Sequence, residues 1–166
     1  MGGHYCVNCG TPLARVEVEG QVLEGCGVCG FVLWRDPKVV TMVVVEAAGE
    51  IVLGRRALEP GYGLWCLPGG FVNDHEHPAA AAARECREEI GAEVEILGLV
   101  GVYHVSKVDA PSMVAVAYRA VLGPGQRPRP GPEMLEVGSF TLPRLPPLAF
   151  PSHAEALSDW SAGRPG

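Results

Sequence analysis

The chain has no long apolar run. Its longest, Val39–Val45, is interrupted by Thr41 and stops at Glu46, far short of the roughly 20 residues a membrane-crossing helix needs. Positive charge is scarce too: 13 Lys plus Arg stand against 19 Asp plus Glu, a formal net charge of −6. That balance argues against a protein that lives on nucleic-acid phosphates. The opening residues Met1-Gly2-Gly3-His4-Tyr5-Cys6 lack the basic and apolar stretches of a secretory signal. A reducing, cytoplasmic setting is therefore expected, with cysteines that bind metal rather than pair as disulfides. No internal repeat is visible. With 48% of its 166 residues apolar and 19% charged, the chain can bury the core of one domain plus a small module, but not of two full domains. An acidic protein that handles anionic substrates needs metal ions or a few placed cations.

Composition divides the chain. Residues 1–35 are rich in glycine and cysteine, residues 36–160 read as a globular mixture of strand and helix, and residues 161–166 read as a flexible tail. Val39–Val45 is β-branched enough for a buried strand. Ala47-Ala48-Gly49-Glu50 turns it back into a strand over Ile51–Arg56. Further strands are expected at Val94–Val105, Met113–Leu122 and Leu135–Phe140. Pro78–Ile90 reads as a helix, with proline at its first position and Gly91 where a left-handed cap is wanted. Gly123–Pro132 can form neither helix nor ladder and reads as a surface loop free to move. After the proline-rich turn 142–151, a last helix is expected from Ser152, as its N-cap, to about Trp160.

Two cysteine pairs stand out. Cys6-x2-Cys9 and Cys26-x2-Cys29 lie sixteen residues apart, each followed at once by a glycine, Gly10 or Gly30. Two such knuckles supply four thiolates at tetrahedral corners, and the glycines let backbone amides turn toward the sulfurs. A segment this short has little core of its own, so a structural zinc ion is the expected occupant. Cys66 and Cys86 stand alone and read as core thiols.

The stretch from Gly69 to Ala92 is the richest in chemistry. On a helix, Ala79, Ala82, Ala83, Cys86 and Ile90 form one apolar stripe. Glu85, Glu88 and Glu89, at i, i+3 and i+4, bring three carboxylates to one flank. Their mutual repulsion needs compensation. Arg84 supplies part of it, and Mg²⁺ or Mn²⁺, which take hard oxygen ligands, are the natural remainder. Taken alone the cluster also reads as a solvated charged face.

Its neighbours decide between these. The spaced pattern Gly70-x5-Glu76-x7-Arg84-Glu85-Cys86-x-Glu88-Glu89-x-Gly91-Ala92 resembles the Nudix box, with every invariant polar and glycine position filled. Cys86 and Ala92 stand where larger aliphatics are usual. The knuckles followed by Asp36-Pro37-Lys38-Val39-Val40, then Arg55–Trp65, then Leu67-Pro68-Gly69-Gly70-Phe71, are similar to zinc-ribbon Nudix hydrolases. That group is related to the NADH pyrophosphatases and includes enzymes acting on ADP-ribose and FAD. The resemblance implies an α+β fold, a Nudix α/β/α sandwich with a mixed sheet, preceded by the small four-cysteine ribbon. It implies that Glu85 and Glu89 are metal ligands, with Glu88 a third or water-mediated one, and that the Gly69 carbonyl joins them. Arg84 is expected to orient the glutamates; Gly70, Glu76 and Gly91 build the box. A glutamate after the box is also implied: Glu133 and Glu136 are the choices, and Glu136 is expected.

The implied reaction is Mg²⁺-dependent hydrolysis of a nucleoside diphosphate linked to a group X, giving a nucleoside monophosphate and phosphorylated X. Glu85, Glu88 or Glu136 serves as the base. Two readings stand for Arg55 and Arg56, phosphate contact or a strand's solvent face. Two also stand for Tyr62, Trp65, Phe71 and Tyr103, base stacking or core. His75 and His77 fall on a surface turn, and His104 and His153 have no evident partners. The NADH-type subgroup carries a Ser-Gln-Pro-Trp-Pro-Phe-Pro-like stretch after the box. Here Leu145–His153 keeps the Phe-Pro but lacks the Ser-Gln and the tryptophan, which favours ADP-ribose or FAD as the substrate over NADH. A non-catalytic nucleotide sensor is the alternative, marked in such folds by loss of a box glutamate, and none is lost. The ribbon sets Arg15 and Arg35 against Glu17, Glu19 and Glu24, so nucleic acid is not an expected partner, and a homodimer contact is the better expectation.

Overall fold

The structure, a computed structural model, describes residues 4–106 and 112–163. The expected tail beyond 163 lies outside the described residues. The chain divides into two compact units, Met1–Asp36 and Pro37–Gly166. Among the described residues no helix is long and apolar enough to cross a membrane.

The first unit is a three-stranded antiparallel sheet of β1 (Ala14–Val18), β2 (Gln21–Gly25) and β3 (Val32–Leu33). Glu19 and Gly20 both take positive φ at the β1–β2 turn, the geometry that matches the twist of a tight hairpin. Leu23 is the one buried aliphatic among the unit's described residues, alongside Cys6 and Cys26.

The second unit is built on a six-stranded sheet. Its strands are β4 (Lys38–Ala47), β5 (Glu50–Arg56), β6 (Trp65–Cys66), β7 (Val94–Val105), β8 (Met113–Leu122) and β9 (Met134–Phe140). The order is β6-β5-β4-β8-β7, with β9 pairing β5; β4 and β8 run parallel and the other pairs antiparallel. Helices cover both faces, so β4 reads as continuous valine rather than an alternation. Val43 and Val45 pack with Ala82, Cys86 and Ile90 of α1 (Pro78–Ile90). Met42 and Val44 pack with Ala156 and Leu157 of α2 (Pro151–Ser161). This is the mixed α/β/α sandwich expected.

Three details differ from the sequence reading. The buried residues of α1 are Ala81, Ala82, Cys86, Glu89 and Ile90; Ala79 and Ala83 are half-buried, because the face turns to carry a carboxylate inward. The segment Gly123–Pro132 is not free. Arg129 N–H donates to the Ile90 carbonyl at 2.8 Å and Gly131 N–H to that of Glu89 at 2.9 Å, satisfying carbonyls at the C-terminal end of α1. A Cβ on Gly131 would collide with the Glu88 carbonyl oxygen. Finally, α2 starts two residues early. Pro151 occupies its first turn and Phe150 the cap position, without a side-chain cap bond; a proline pre-set for helix replaces the serine cap.

Candidate active site and metal centre

The ribbon knuckles are near-duplicates. Gly10 N–H donates to the Cys6 carbonyl and Gly30 N–H to that of Cys26, at 2.9 and 3.1 Å, and both glycines have positive φ. The four sulfurs lie within 4.8 Å of one another. Cys6–Cys29 and Cys9–Cys26 are 3.5 Å apart and Cys9–Cys29 3.7 Å. Zn–S bonds of about 2.3 Å at tetrahedral angles set sulfurs about 3.8 Å apart, so the cluster fits zinc. Backbone N–H groups of Cys29 and Val28 lower the Cys26 thiol, favouring the thiolate a metal needs.

In the second unit, the site starts at a backbone turn. Residues 68–72 run along β4: Val43 N–H donates to Pro68 O at 2.9 Å, Thr41 N–H to Gly70 O at 2.7 Å and Val72 N–H to Val39 O at 3.1 Å. A Cβ on Gly69 would collide with the Thr41 carbonyl, and one on Gly70 would sit 2.6 Å from the Glu85 carboxylate. Gly69 is closed to any side chain by backbone contact, whereas a side chain at Gly70 would displace the Glu85 carboxylate. Gly69 N–H donates to Glu89 Oε2 at 2.8 Å.

Glu89 is only 5% exposed. Burial pushes its carboxyl up to about 8, against the Gly69 N–H and the Arg56 charge, while Glu85 and Glu133 add repulsion. Burial also raises Glu85, opposed by Arg84. Glu88 is largely solvent-facing, its side chain 56% exposed. Arg84 ties the group together. Its Nη1 donates to Glu85 at 2.7 Å and Glu88 at 3.0 Å, its Nε and Nη2 to Glu76 at 2.8 and 2.9 Å, and Nη2 also to Phe71 O. Glu76, held by Arg84 and by Asn73 N–H, drops to about 2. The bidentate pair neutralises Glu76 and leaves Glu85 and Glu89 with repulsion that a cation relieves. Donors of this kind, carboxylates beside a backbone turn, suit a hard divalent ion.

The other predicted residues separate. Glu133 bears electrostatically on both Glu85 and Glu89. Glu136 lies opposite Arg55 across β9 and β5, 3.7 Å from its Nη1. Arg55 Nε donates to Gly63 O and Arg56 Nε to Pro60 O, at 2.9 and 2.8 Å, so each holds the β5–β6 connection. Tyr62 and Phe71 are exposed, at 58% and 51%. Trp65 packs edge-on against Phe140, and Tyr103 donates to Asp159 at 2.9 Å; both pack on the core. His77 caps α1, accepting from Ala79 N–H.

Sequence reading missed three residues. Lys38 places its ammonium 5.1 Å from the centre of the Phe71 ring. Thr41 has a buried hydroxyl without a partner among the described residues. His153 accepts from Leu67 N–H at 3.0 Å through Nδ1, and burial drives its pKa down to about 4. Each owes its place to tertiary packing rather than to its neighbours in sequence.

Comparison with known proteins agrees with this geometry. The model of the NUDIX domain matches residues 35–160. An ADP-ribose pyrophosphatase of Methanocaldococcus jannaschii is 31% identical over 134 residues, 81% of this chain and 79% of that protein. The NAD-capped RNA hydrolase NudC of Pseudomonas aeruginosa is 30% identical over 145 residues; these are 87% of this chain but only 50% of that longer protein. The crystal structure of a NUDIX hydrolase from Nitrosomonas europaea superposes with a TM-score of 0.84 at 31% identity, covering 98% of this chain and 94% of that one. Fold and site define a Nudix hydrolase with a ribbon of zinc-binding type. The chain belongs to the NUDIX family, as one of its pyrophosphohydrolases.

Proposed function

We propose that the protein hydrolyses the pyrophosphate of a nucleoside diphosphate linked to X, with ADP-ribose or FAD favoured over NADH, in a Mg²⁺- or Mn²⁺-dependent reaction. The observation that carries this is the pair Glu85 and Glu89 gathered at the Gly69–Gly70 turn, where one guanidinium, Arg84, is shared among Glu76, Glu85 and Glu88 and burial raises both Glu85 and Glu89. Glu85, Glu89, Glu88 and the Gly69 carbonyl would hold the ion. When bound, it neutralises the pyrophosphate and acidifies a coordinated water.

The chain's own residues do the rest. Gly69 N–H fixes Glu89, and Arg84 fixes Glu85 and Glu88, so the carboxylates are oriented before substrate arrives. A glutamate takes the attacking water's proton. Glu85, Glu88 and Glu136 stay in contention, and Glu133, whose charge bears on both Glu85 and Glu89, is the other glutamate after the box. The exposed Phe71, with Lys38 over its ring, and the exposed Tyr62 offer contacts to the nucleoside or to X.

The 31% identical archaeal ADP-ribose pyrophosphatase and the reduced Phe-Pro remnant at Phe150-Pro151 support the substrate preference. Specificity constants for ADP-ribose, FAD and NADH under saturating Mg²⁺ test it. ADP-ribose or FAD should exceed NADH by at least about tenfold, a difference of about 1.4 kcal/mol in transition-state binding. NADH as the best substrate would overturn the preference.

A further inference from the structure

We propose that the first turn of α2 is a strut behind the metal site, with His153 as a positioning residue for the Gly69 backbone. This rests on the reading of Glu89 and Gly69 as metal-holding groups. The segment Leu67-Pro68-Gly69 has two amide N–H groups, because Pro68 carries none. Leu67 N–H goes to His153 Nδ1 on α2 at 3.0 Å, and Gly69 N–H goes to Glu89 on α1 at 2.8 Å. The turn that presents the Gly69 carbonyl is thus clamped between the two helices on opposite faces of the sheet.

The clamp has a second leg. The His153 ring lies 5.1 Å from that of Phe150, and the Arg56 guanidinium sits 5.0 Å over Phe150. The turn Phe150–His153 therefore contacts both the segment leading into Gly69, through His153, and Arg56 of β5, through Phe150. Its retained Phe-Pro has a use that needs no nicotinamide.

The bond demands a specific tautomer: Nδ1 must accept, so the ring proton sits on Nε2. Groups that orient metal ligands in this way typically contribute 10–100-fold to metal affinity or rate. His153→Ala removes the acceptor, whereas His153→Asn restores an oxygen near the Nδ1 position. Three readouts apply to the whole protein: ¹⁵N spectra of His153 and the Leu67 amide, Mn²⁺ affinity by electron paramagnetic resonance, and ADP-ribose hydrolysis resolved into kcat and KM. The expected results are an Nε2–H tautomer at neutral pH and Mn²⁺ affinity at least tenfold weaker in His153→Ala. Recovery to within threefold in His153→Asn, with KM for ADP-ribose unchanged at saturating metal, is also expected.

Unchanged Mn²⁺ affinity in His153→Ala overturns the strut, as does equal loss in both variants. A wild-type protein that binds no Mn²⁺ overturns the underlying reading of the metal site instead, which keeps the two failures distinct.

Discussion

Glu89 concentrates the chemistry at the scale of a residue. Its carboxyl is held near 8, against an ordinary value of 4.5, because burial outweighs one N–H and one distant guanidinium. Between those two values the metal-free native state holds a proton that the unfolded chain has released, so stability falls as pH rises. Below about pH 6.5 the buried neutral ring of His153 gives the opposite slope, so the melting temperature of metal-free protein should decline from about pH 6.5 to pH 8, and Mg²⁺ should raise it more at pH 8 than at pH 6.5. Glu89→Gln should flatten the decline, since its amide oxygen still accepts from Gly69 without a charge to bury; a slope unchanged in that variant would sink the assignment. Thr41 offers a second test. Its buried hydroxyl has no partner among the described residues, so Thr41→Val should stabilise the protein by about 1 kcal/mol in denaturant titrations. Glutamates 85, 88 and 89 were legible from their spacing, since i, i+3, i+4 brings side chains together on any helix. His153 was not, because its partner Leu67 lies 86 residues away in sequence and one histidine makes no pattern.

Elements carried most of what could be read in advance. The valine run of β4, the proline and glycine bracketing α1, and the alternation in β7 each announce local geometry, and their bounds fall within a few residues of expectation. What resisted reading was the connection between elements. Proline and glycine exclude helix from Gly123–Pro132 but do not reveal that Arg129 and Gly131 amides finish α1. This cap is directly testable. Gly131→Ala places a methyl against the Glu88 carbonyl and should cost about 1–3 kcal/mol by overpacking, measured as a lower unfolding midpoint. It should also lower activity, because the shifted residues carry Glu88 and Glu89. Full stability in that variant would show that the loop does not brace the helix.

For the whole molecule, two units pose different stability problems. The sandwich buries Met42 to Val45, Ile51 to Leu53 and one face of each helix around its sheet, whereas the ribbon has Leu23 and two cysteines as its buried apolar groups among the described residues. A unit with so little core depends on its metal. Metal analysis should find one zinc per chain, absent from Cys9→Ser, and chelation should abolish protection of the β1–β3 amides from hydrogen exchange while β4 and β5 stay protected. Protection of the ribbon after complete zinc removal would contradict this. The proposed catalysis likewise draws on distant parts of the sandwich, the glutamates of α1 and the glycine turn after β6. Its most direct test is release of AMP from ADP-ribose in excess Mg²⁺, with Glu89→Gln measured in parallel. The wild type should release AMP and ribose 5-phosphate, and the variant should be about 10²–10³-fold slower, comparable to losing one preorganised electrostatic group. Tight binding of ADP-ribose, FAD and related nucleotides without turnover of any of them would contradict hydrolysis and leave a nucleotide sensor.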